Sequence, residues 1–121
     1  MAMNWEIQKR MVNELAETIK AHGFRVFVHL DVDNIDYFGF FTNGKNVAYF
    51  GVVLDNYCIG KCTIPSVSVC RTPRLSEITK DVCDKAISSR IPNIRGKFKP
   101  RLYKLDELLN RYKNSEYFKE I

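Results

Sequence analysis

Three carboxylates lie close together in the segment DVDNID, at Asp31, Asp33 and Asp36. Oxygen ligands alternating with spacers begin a calcium loop, but that loop needs glycine at its sixth position and glutamate at its twelfth. Asp36 and Thr42 occupy these two positions here. The segment is therefore not an EF-hand, and we expect a turn whose Asp side chains bond to nearby backbone. A site for a different metal, and with it a small metal-dependent nuclease, remains an alternative.

Four cysteines, Cys58, Cys62, Cys70 and Cys83, could form disulfides, bind zinc or remain free. A pair separated by three residues and followed by two lone cysteines is not a standard zinc spacing. If residues 57–63 form a strand, Cys58 and Cys62 lie about 13 Å apart, which is too far for a disulfide. We therefore expect four buried free thiols, with no metal and no cofactor.

Two histidines, His22 and His29, are the only imidazoles of the chain. Neither lies in a recognisable nucleophile motif, and the sequence contains no phosphate-binding glycine motif and no H-E-x-x-H zinc motif. We therefore expect no catalytic residues and no enzyme activity. A triad of Ser or Cys with His remains an alternative, because such partners meet only in the fold.

The best candidate binding site is the basic arm, residues 88–104, which contains six cations and no acid. Cations interleaved with aromatic residues suit phosphate contacts combined with stacking on unpaired bases. A solvated loop anchored by its aromatic side chains would have the same sequence, so both interpretations stand. The candidate binding residues are Arg90, Arg95, Lys97, Phe98, Lys99, Arg101, Tyr103 and Lys104.

The charge of the chain is unevenly distributed. Residues 1–60 contain five Lys and Arg against seven Asp and Glu, whereas residues 61–121 contain fourteen against seven. A basic half indicates an acidic partner surface or a phosphate backbone. The isoelectric point near 9.1 argues against mimicry of DNA, which needs an acidic surface.

The first half of the chain predicts one helix followed by a sheet. Residues 4–22 place apolar side chains four apart, with Asn4 as a cap and Gly23 as a stop. A period of two then predicts strands at residues 24–30, 35–42, 45–54 and 57–64, joined by turns at DVDN, Asn43-Gly44 and Asp55-Asn56. Large side chains occupy both faces of the central hairpin, so one face needs the helix and the other needs a later helix or a partner.

The second half predicts a loop at residues 65–71 and then a helix that starts with Thr72-Pro73 and ends before Pro92. A short helix follows at residues 104–112, and Ser115 caps a last helical turn in EYFKEI. The fold class is therefore α+β, with a four-stranded antiparallel meander packed against an N-terminal helix and C-terminal helices. We expect residues 1–121 to form a single domain.

Neither a membrane span nor a secretion signal is evident in the sequence. No apolar run approaches the roughly 20 residues that cross a bilayer, and the first residues do not show a basic segment followed by an apolar one. We therefore expect a soluble cytoplasmic protein without a membrane partner.

The order of these elements resembles a family of small accessory proteins of enterobacterial phages and plasmids. The resemblance lies in the aromatic hairpin and in the ending, where Tyr and Leu residues surround a short helix. In that family the hairpin leads into a Gly-Thr-Gly-aromatic segment, but SVSVCRTP stands there in this chain. The matching residues of the ending are Tyr103, Leu105, Leu108, Leu109, Tyr112 and Tyr117.

The resemblance implies a mobile-element protein that inhibits host defence by binding. Our leading hypothesis is thus a non-enzymatic inhibitor of a defence nuclease complex, of the CRISPR or restriction type. Its partner would be a host defence protein or ribonucleoprotein, with nucleic-acid contact and homo-oligomerisation both open. The alternative is a protein that binds nucleic acid directly through the basic arm.

Overall fold

The computed structural model of the chain describes residues 4–88 and 101–121. These residues adopt the α+β fold that the sequence predicts, with an N-terminal helix, an antiparallel sheet and later helices. The helices are α1 (Trp5–Ala21), α2 (Lys80–Ile87) and α3 (Leu105–Tyr112), with a 3-10 turn at Leu75–Glu77. The strands are β1 (Arg25–Asp31), β2 (Asp36–Thr42), β3 (Val47–Val53), β4 (Asn56–Lys61), β5 (Thr63–Ile64), β6 (Val67–Thr72), β7 (Arg101–Leu102) and β8 (Phe118–Glu120).

Within the described residues the main sheet has six antiparallel strands, in the order β6-β4-β3-β2-β1-β8. Its centre is the meander β1 to β4 expected from the sequence, and one further strand joins each edge. The strands β5 and β7 form a separate two-stranded ladder in which Ile64 pairs with Arg101. This ladder holds the described end of the basic arm against the end of β4.

The prediction of a loop at residues 65–71 and that of a final helical turn were wrong. Residues Val67–Thr72 form strand β6, which pairs with β4. The segment after Ser115 forms β8 because Phe118 pairs with His29 of β1. Both strands lie at the edges of the sheet, and each pairs with a single neighbouring strand.

The predicted start of the second helix was also wrong. Thr72 ends strand β6 and donates its hydroxyl to Glu77 at 2.5 Å instead of capping a helix. The cap is Thr79, whose hydroxyl accepts from the Val82 amide at 3.2 Å. The predicted caps of α1 are confirmed, because Asn4 accepts from two amides of the first turn and Gly23 has φ 100°.

Helices α1 and α2 cover one face of the sheet and bury the larger core. This core combines Leu15 and Ile19 of α1 and Cys83 of α2 with sheet residues such as Phe41 and Phe50. Burial of these side chains provides the main stabilisation of the fold.

Helix α3 covers part of the opposite face, for which the sequence left open a later helix or a partner. Leu108 packs there with Phe27 and Phe40, and Tyr112 stacks on Phe118 with 5.3 Å between ring centroids. The part of this face that lies over β3 and β4 is not covered by described residues to the same extent. Tyr49 is half-buried there, and Val53 is exposed.

The two hairpin turns of the meander differ in detail from the prediction. The Asn43-Gly44 hairpin is present, but its loop spans residues 43–46 because Asn43 accepts from the amides of Lys45 and Asn46. The next turn consists of Leu54 and Asp55, one residue earlier than predicted. This shift places a leucine at the tip of a two-residue turn.

Candidate binding surfaces

Most of the predicted binding arm lies outside the described residues. This holds for five of the eight candidate residues, Arg90, Arg95, Lys97, Phe98 and Lys99. The described end of the arm contains Arg101, Tyr103 and Lys104. Together these three show how the arm joins the fold.

Arg101 is engaged by a neighbouring acid. Its Nη2 donates to the Glu107 carboxylate at 2.5 Å, and its guanidinium lies 5.4 Å from the centre of the Tyr103 ring. The bond from Arg101 lowers the pKa of Glu107. Because Glu107 offsets the charge of Arg101, this residue contributes less positive field than the sequence suggests.

Tyr103 anchors the arm to the domain. Its backbone amide donates to the Cys62 carbonyl at 2.9 Å, and its side chain packs against the core under α3. The Arg111 guanidinium also lies over the Tyr103 ring, 5.2 Å from its centre. The Tyr103 ring, with two guanidinium groups beside it, is therefore part of the folded domain. Lys104, at the start of α3, is exposed.

The acidic turn is organised by Asp31. One oxygen of this buried carboxylate accepts from the amides of Asp33 and Asn34, and the other accepts from the Asn34 side chain at 2.9 Å. The Asn34 bonds lower the pKa of Asp31. The predicted backbone-bonded turn is therefore confirmed. Tyr117 donates its hydroxyl to Asp33, which ties the C-terminal segment to the turn.

His29 lies in an aromatic enclosure that the sequence did not reveal. Its side chain is only 7% exposed, and the ring centres of Phe38 and Tyr112 lie 4.8 Å and 5.4 Å away. Its Nδ1 atom is buried without a hydrogen-bond partner. Strand parity places His29 on the face of Phe27, but contact with Tyr112 depends on the docking of α3 and could not be foreseen.

The four cysteines are free thiols, as expected from their spacing. Cys58, Cys62 and Cys83 are buried as predicted, whereas Cys70 is only half-buried, so the prediction that all four thiols are buried was wrong for Cys70. Burial raises the pKa of Cys62 to about 11 and that of Cys83 to about 12. The thiols are thus held in their unreactive protonated form near neutral pH. In the part of the chain that the structure describes, no three His, Cys, Asp or Glu side chains gather as a metal site would require.

Lys61 is a buried cation that sequence reasoning missed. Its Nζ donates to the carbonyls of Lys85 at 3.1 Å and Ser88 at 2.7 Å, at the C-terminal end of α2. Burial lowers the pKa of Lys61. The ammonium satisfies carbonyls that a helix end leaves open, so we assign it a structural role.

An exposed apolar surface lies at one end of the sheet, and we call it the apolar end. It consists of Trp5, Val32, Ile35, Val53 and Leu54, which are all exposed. Seven large hydrophobic side chains are exposed among the described residues. Six of them, these five and Ile7, lie in the first turn of α1 or at the turns after β1 and β3. Isolated exposed apolar residues are ordinary, but a concentration at one end is typical of an interaction site.

The antiparallel pairing of β2 and β3 puts the two turns at the same end of the sheet. The ladder ends at the pair Phe38 and Gly51, so the turn before β2 and the turn after β3 both lie beyond this pair. A hydrogen bond from the Gln8 side chain to the Val52 carbonyl, at 3.4 Å, holds the start of α1 over the same end.

The backbone at the apolar end is strained at its apolar residues. Ile35 has φ 53°, Leu54 has φ 49° and Asp55 has φ 62°. The left-handed region costs a side-chain-bearing residue about 1–2 kcal/mol, and β-branched residues avoid it most. Turns of this geometry favour Asn and Gly, so Leu54 and Ile35 hold their positions at a cost to stability. Such strain concentrates at functional sites.

Comparison of the chain with protein-family models, with curated proteins and with solved structures found no match. No helix in the described part of the chain is long and apolar enough to cross a membrane.

Proposed function

We propose that this protein is a non-enzymatic binding protein of a phage or plasmid, and that it inhibits a host defence nuclease complex by occupying one of its surfaces. The observation that carries the proposal is the apolar end, where Ile35 and Leu54 are exposed on strained turns. A protein that gained nothing from these side chains would be more stable with Asn or Gly there. The resemblance to accessory proteins of enterobacterial phages and plasmids supplies the biological setting, which is the host cytoplasm.

The mode of action separates binding from catalysis. An inhibitor that covers a surface acts in proportion to its amount, whereas an enzyme that modifies the nuclease acts at substoichiometric amounts and gains effect with time. The proposal therefore predicts a sharp end point near one protein per binding site when purified nuclease complexes of the CRISPR and restriction types are titrated.

The experiment has a cellular and a purified arm. Bacteria that carry a defined defence system are challenged with a targeted phage, with and without this protein, and plaque numbers are compared. The complex that is silenced is then titrated in a DNA-cleavage assay. Failure to raise plaque numbers with any tested system, or inhibition that grows with incubation at substoichiometric amounts, would contradict the proposal.

Direct binding of nucleic acid through the basic arm is the second candidate. The observation that favours it is the gathering of Arg101 and Arg111 around Tyr103, with Lys104 exposed beside them. Binding of single strands would weaken with salt, with a log-log slope of about -0.7 for each phosphate contact. A variant with four cations of the arm replaced by Ala should show a flatter slope. The replaced residues are Arg95, Lys97, Lys99 and Arg101.

A further inference from the structure

A groove crosses the sheet on the face that α3 covers only in part, and we call it the sheet groove. Four residues form a row across four strands, because Phe38 of β2 pairs with Gly51 of β3, Gly51 with Cys58 of β4, and Cys58 with Arg71 of β6. Residues that pair directly point to the same face of a sheet. The row therefore runs along the groove, which has a volume of about 380 Å³.

The sheet groove has a low floor and aromatic sides. Gly51 has no side chain, and the nearest atom to a Cβ built there would be the Phe38 Cβ at 3.9 Å, so the space above Gly51 is open. The Phe38 ring forms one side and packs against Tyr112 of α3, with 5.7 Å between ring centres. Tyr49 lies on the same face as Gly51 and is half-buried. An open slot beside aromatic rings suits a planar ring, which can stack there.

The charge of the sheet groove is positive. Of the described residues that line it, Arg71 is the only charged one, and no ion pair joins Arg71 to an acid in the described part of the chain. The field of Arg71 reaches the floor, since burial raises the pKa of the Cys58 thiol and Arg71 opposes that rise. Two acids of the bordering segments lie outside the lining, Asp36 at the start of β2 and Asp55 in the turn after β3. An anionic group is therefore favoured at β6 and disfavoured at the turns.

We infer that the sheet groove binds one nucleotide, whose base lies over Gly51 beside the aromatic rings and whose phosphate meets Arg71. The base supplies the planar ring, and the phosphate supplies an anion that a guanidinium binds through two parallel hydrogen bonds. The volume lies near the lower end of the range of about 300–1,000 Å³ for small-molecule sites, which suits a single nucleotide. A free nucleotide and one unit of a single strand share this chemistry. The inference goes beyond the proposed function and does not depend on it.

Three probes separate the contributions of base and phosphate. AMP, adenosine and ribose 5-phosphate are titrated into the protein while NMR follows the amide signals of Gly51 and Arg71. AMP should shift both signals in a saturable manner. Adenosine should bind roughly tenfold more weakly because it lacks the charged hydrogen-bond partner of Arg71, and ribose 5-phosphate should bind at least roughly tenfold more weakly because it cannot stack.

A short oligoadenylate distinguishes the two sources of the nucleotide. Binding that is tighter than that of AMP and falls more steeply with salt identifies a single strand as the ligand, because each further phosphate contact releases counterions. Affinity equal to that of AMP identifies a free nucleotide. Both results support the shared chemistry of the site.

Two variants and a matched control locate the site. Arg71→Gln should weaken AMP binding roughly tenfold and leave adenosine binding unchanged. Gly51→Val should weaken binding of both, because its side chain fills the slot, and a strand accepts a β-branched residue readily. The control Arg10→Gln makes the same change in net charge on α1, which covers the other face, and should bind AMP like the wild type.

Several results would overturn the inference. Millimolar AMP and oligoadenylate that shift neither amide signal would exclude the site, and so would ribose 5-phosphate that binds as well as AMP. Equal effects of Arg71→Gln and Arg10→Gln would show a general charge effect. Binding that survives both groove variants but is lost when four cations of the basic arm are replaced would move the ligand to the arm. If thermal unfolding shows that Gly51→Val does not fold, Arg71→Gln and its control decide.

Discussion

Replacing Leu54 by Asn should make the protein more stable and at the same time weaken partner binding. Leu54 has φ 49° and is 71% exposed at the tip of its turn. Relief of the left-handed conformation is worth about 1–2 kcal/mol. Leu54 is about three-tenths buried, so its replacement loses roughly three-tenths of about 2 kcal/mol, or about 0.6 kcal/mol, of stabilisation by burial. The net gain in the free energy of unfolding is about 0.4–1.4 kcal/mol, which corresponds to a Tm increase of about 2–6 °C.

The matched control is Ile64→Asn in the separate two-stranded ladder of β5 and β7. Ile64 is 49% exposed and does not have a positive φ. Its replacement removes a comparable exposed apolar side chain without relieving strain, so it should not raise the Tm and should leave inhibition intact. Thermal unfolding followed by circular dichroism measures stability, and titration of the silenced nuclease measures binding. If Leu54→Asn lowers the Tm, or if it raises the Tm but inhibits as the wild type does, the link between strain and function is wrong.

Three further predictions test the fold. Gly39→Ala should lower the free energy of unfolding by about 3 kcal/mol, because the new Cβ would meet the Phe50 ring and the Phe27 carbonyl. In the control Gly51→Ala the new Cβ meets no atom closer than 3.9 Å, so urea denaturation should show nearly unchanged stability. Folded-state pKa values of about 11 for Cys62 and about 12 for Cys83 exceed the ordinary value of 9.0, so stability from these thiols is present below pH 9 and declines as pH rises towards 11. Urea midpoints measured across this range should fall, and unchanged midpoints would contradict the burial. Lys61→Met should lower the free energy of unfolding by about 1–3 kcal/mol, since two carbonyls at the end of α2 lose their donor; an equally stable variant would show that water replaces it.

Elements that are specified locally could be predicted from the sequence. Helix α1 has its apolar spacing, the Asn4 cap and the Gly23 stop within one stretch of chain. The meander strands were found because their alternation and the Asn43-Gly44 turn are local signals. By contrast, β8 depends on pairing between Phe118 and His29, which are distant in the chain. Its sequence gave no strand pattern long enough to compete with a helical interpretation.

The candidate binding arm stays a prediction, because most of its residues lie outside the described part of the chain. Charge composition drew attention to the basic arm, yet the structure ties Arg101 to Glu107. The apolar end was missed because Leu54 and Ile35 resemble core residues until their backbone angles are known. The one local signal was chemical: a hydrophobic residue stands where a two-residue hairpin turn favours Asn or Gly.

Site-specific photo-crosslinking in the host cell tests the role of the apolar end most directly. A diazirine analogue of leucine is placed at residue 54 in one sample and at residue 64 in the other, and adducts are identified by mass spectrometry. We predict one discrete adduct from residue 54, containing a component of a defence nuclease complex, and no corresponding adduct from residue 64. The same adduct from both residues, or no protein adduct from residue 54 in cells where the protein protects phage, would contradict the assignment of the apolar end as the binding surface.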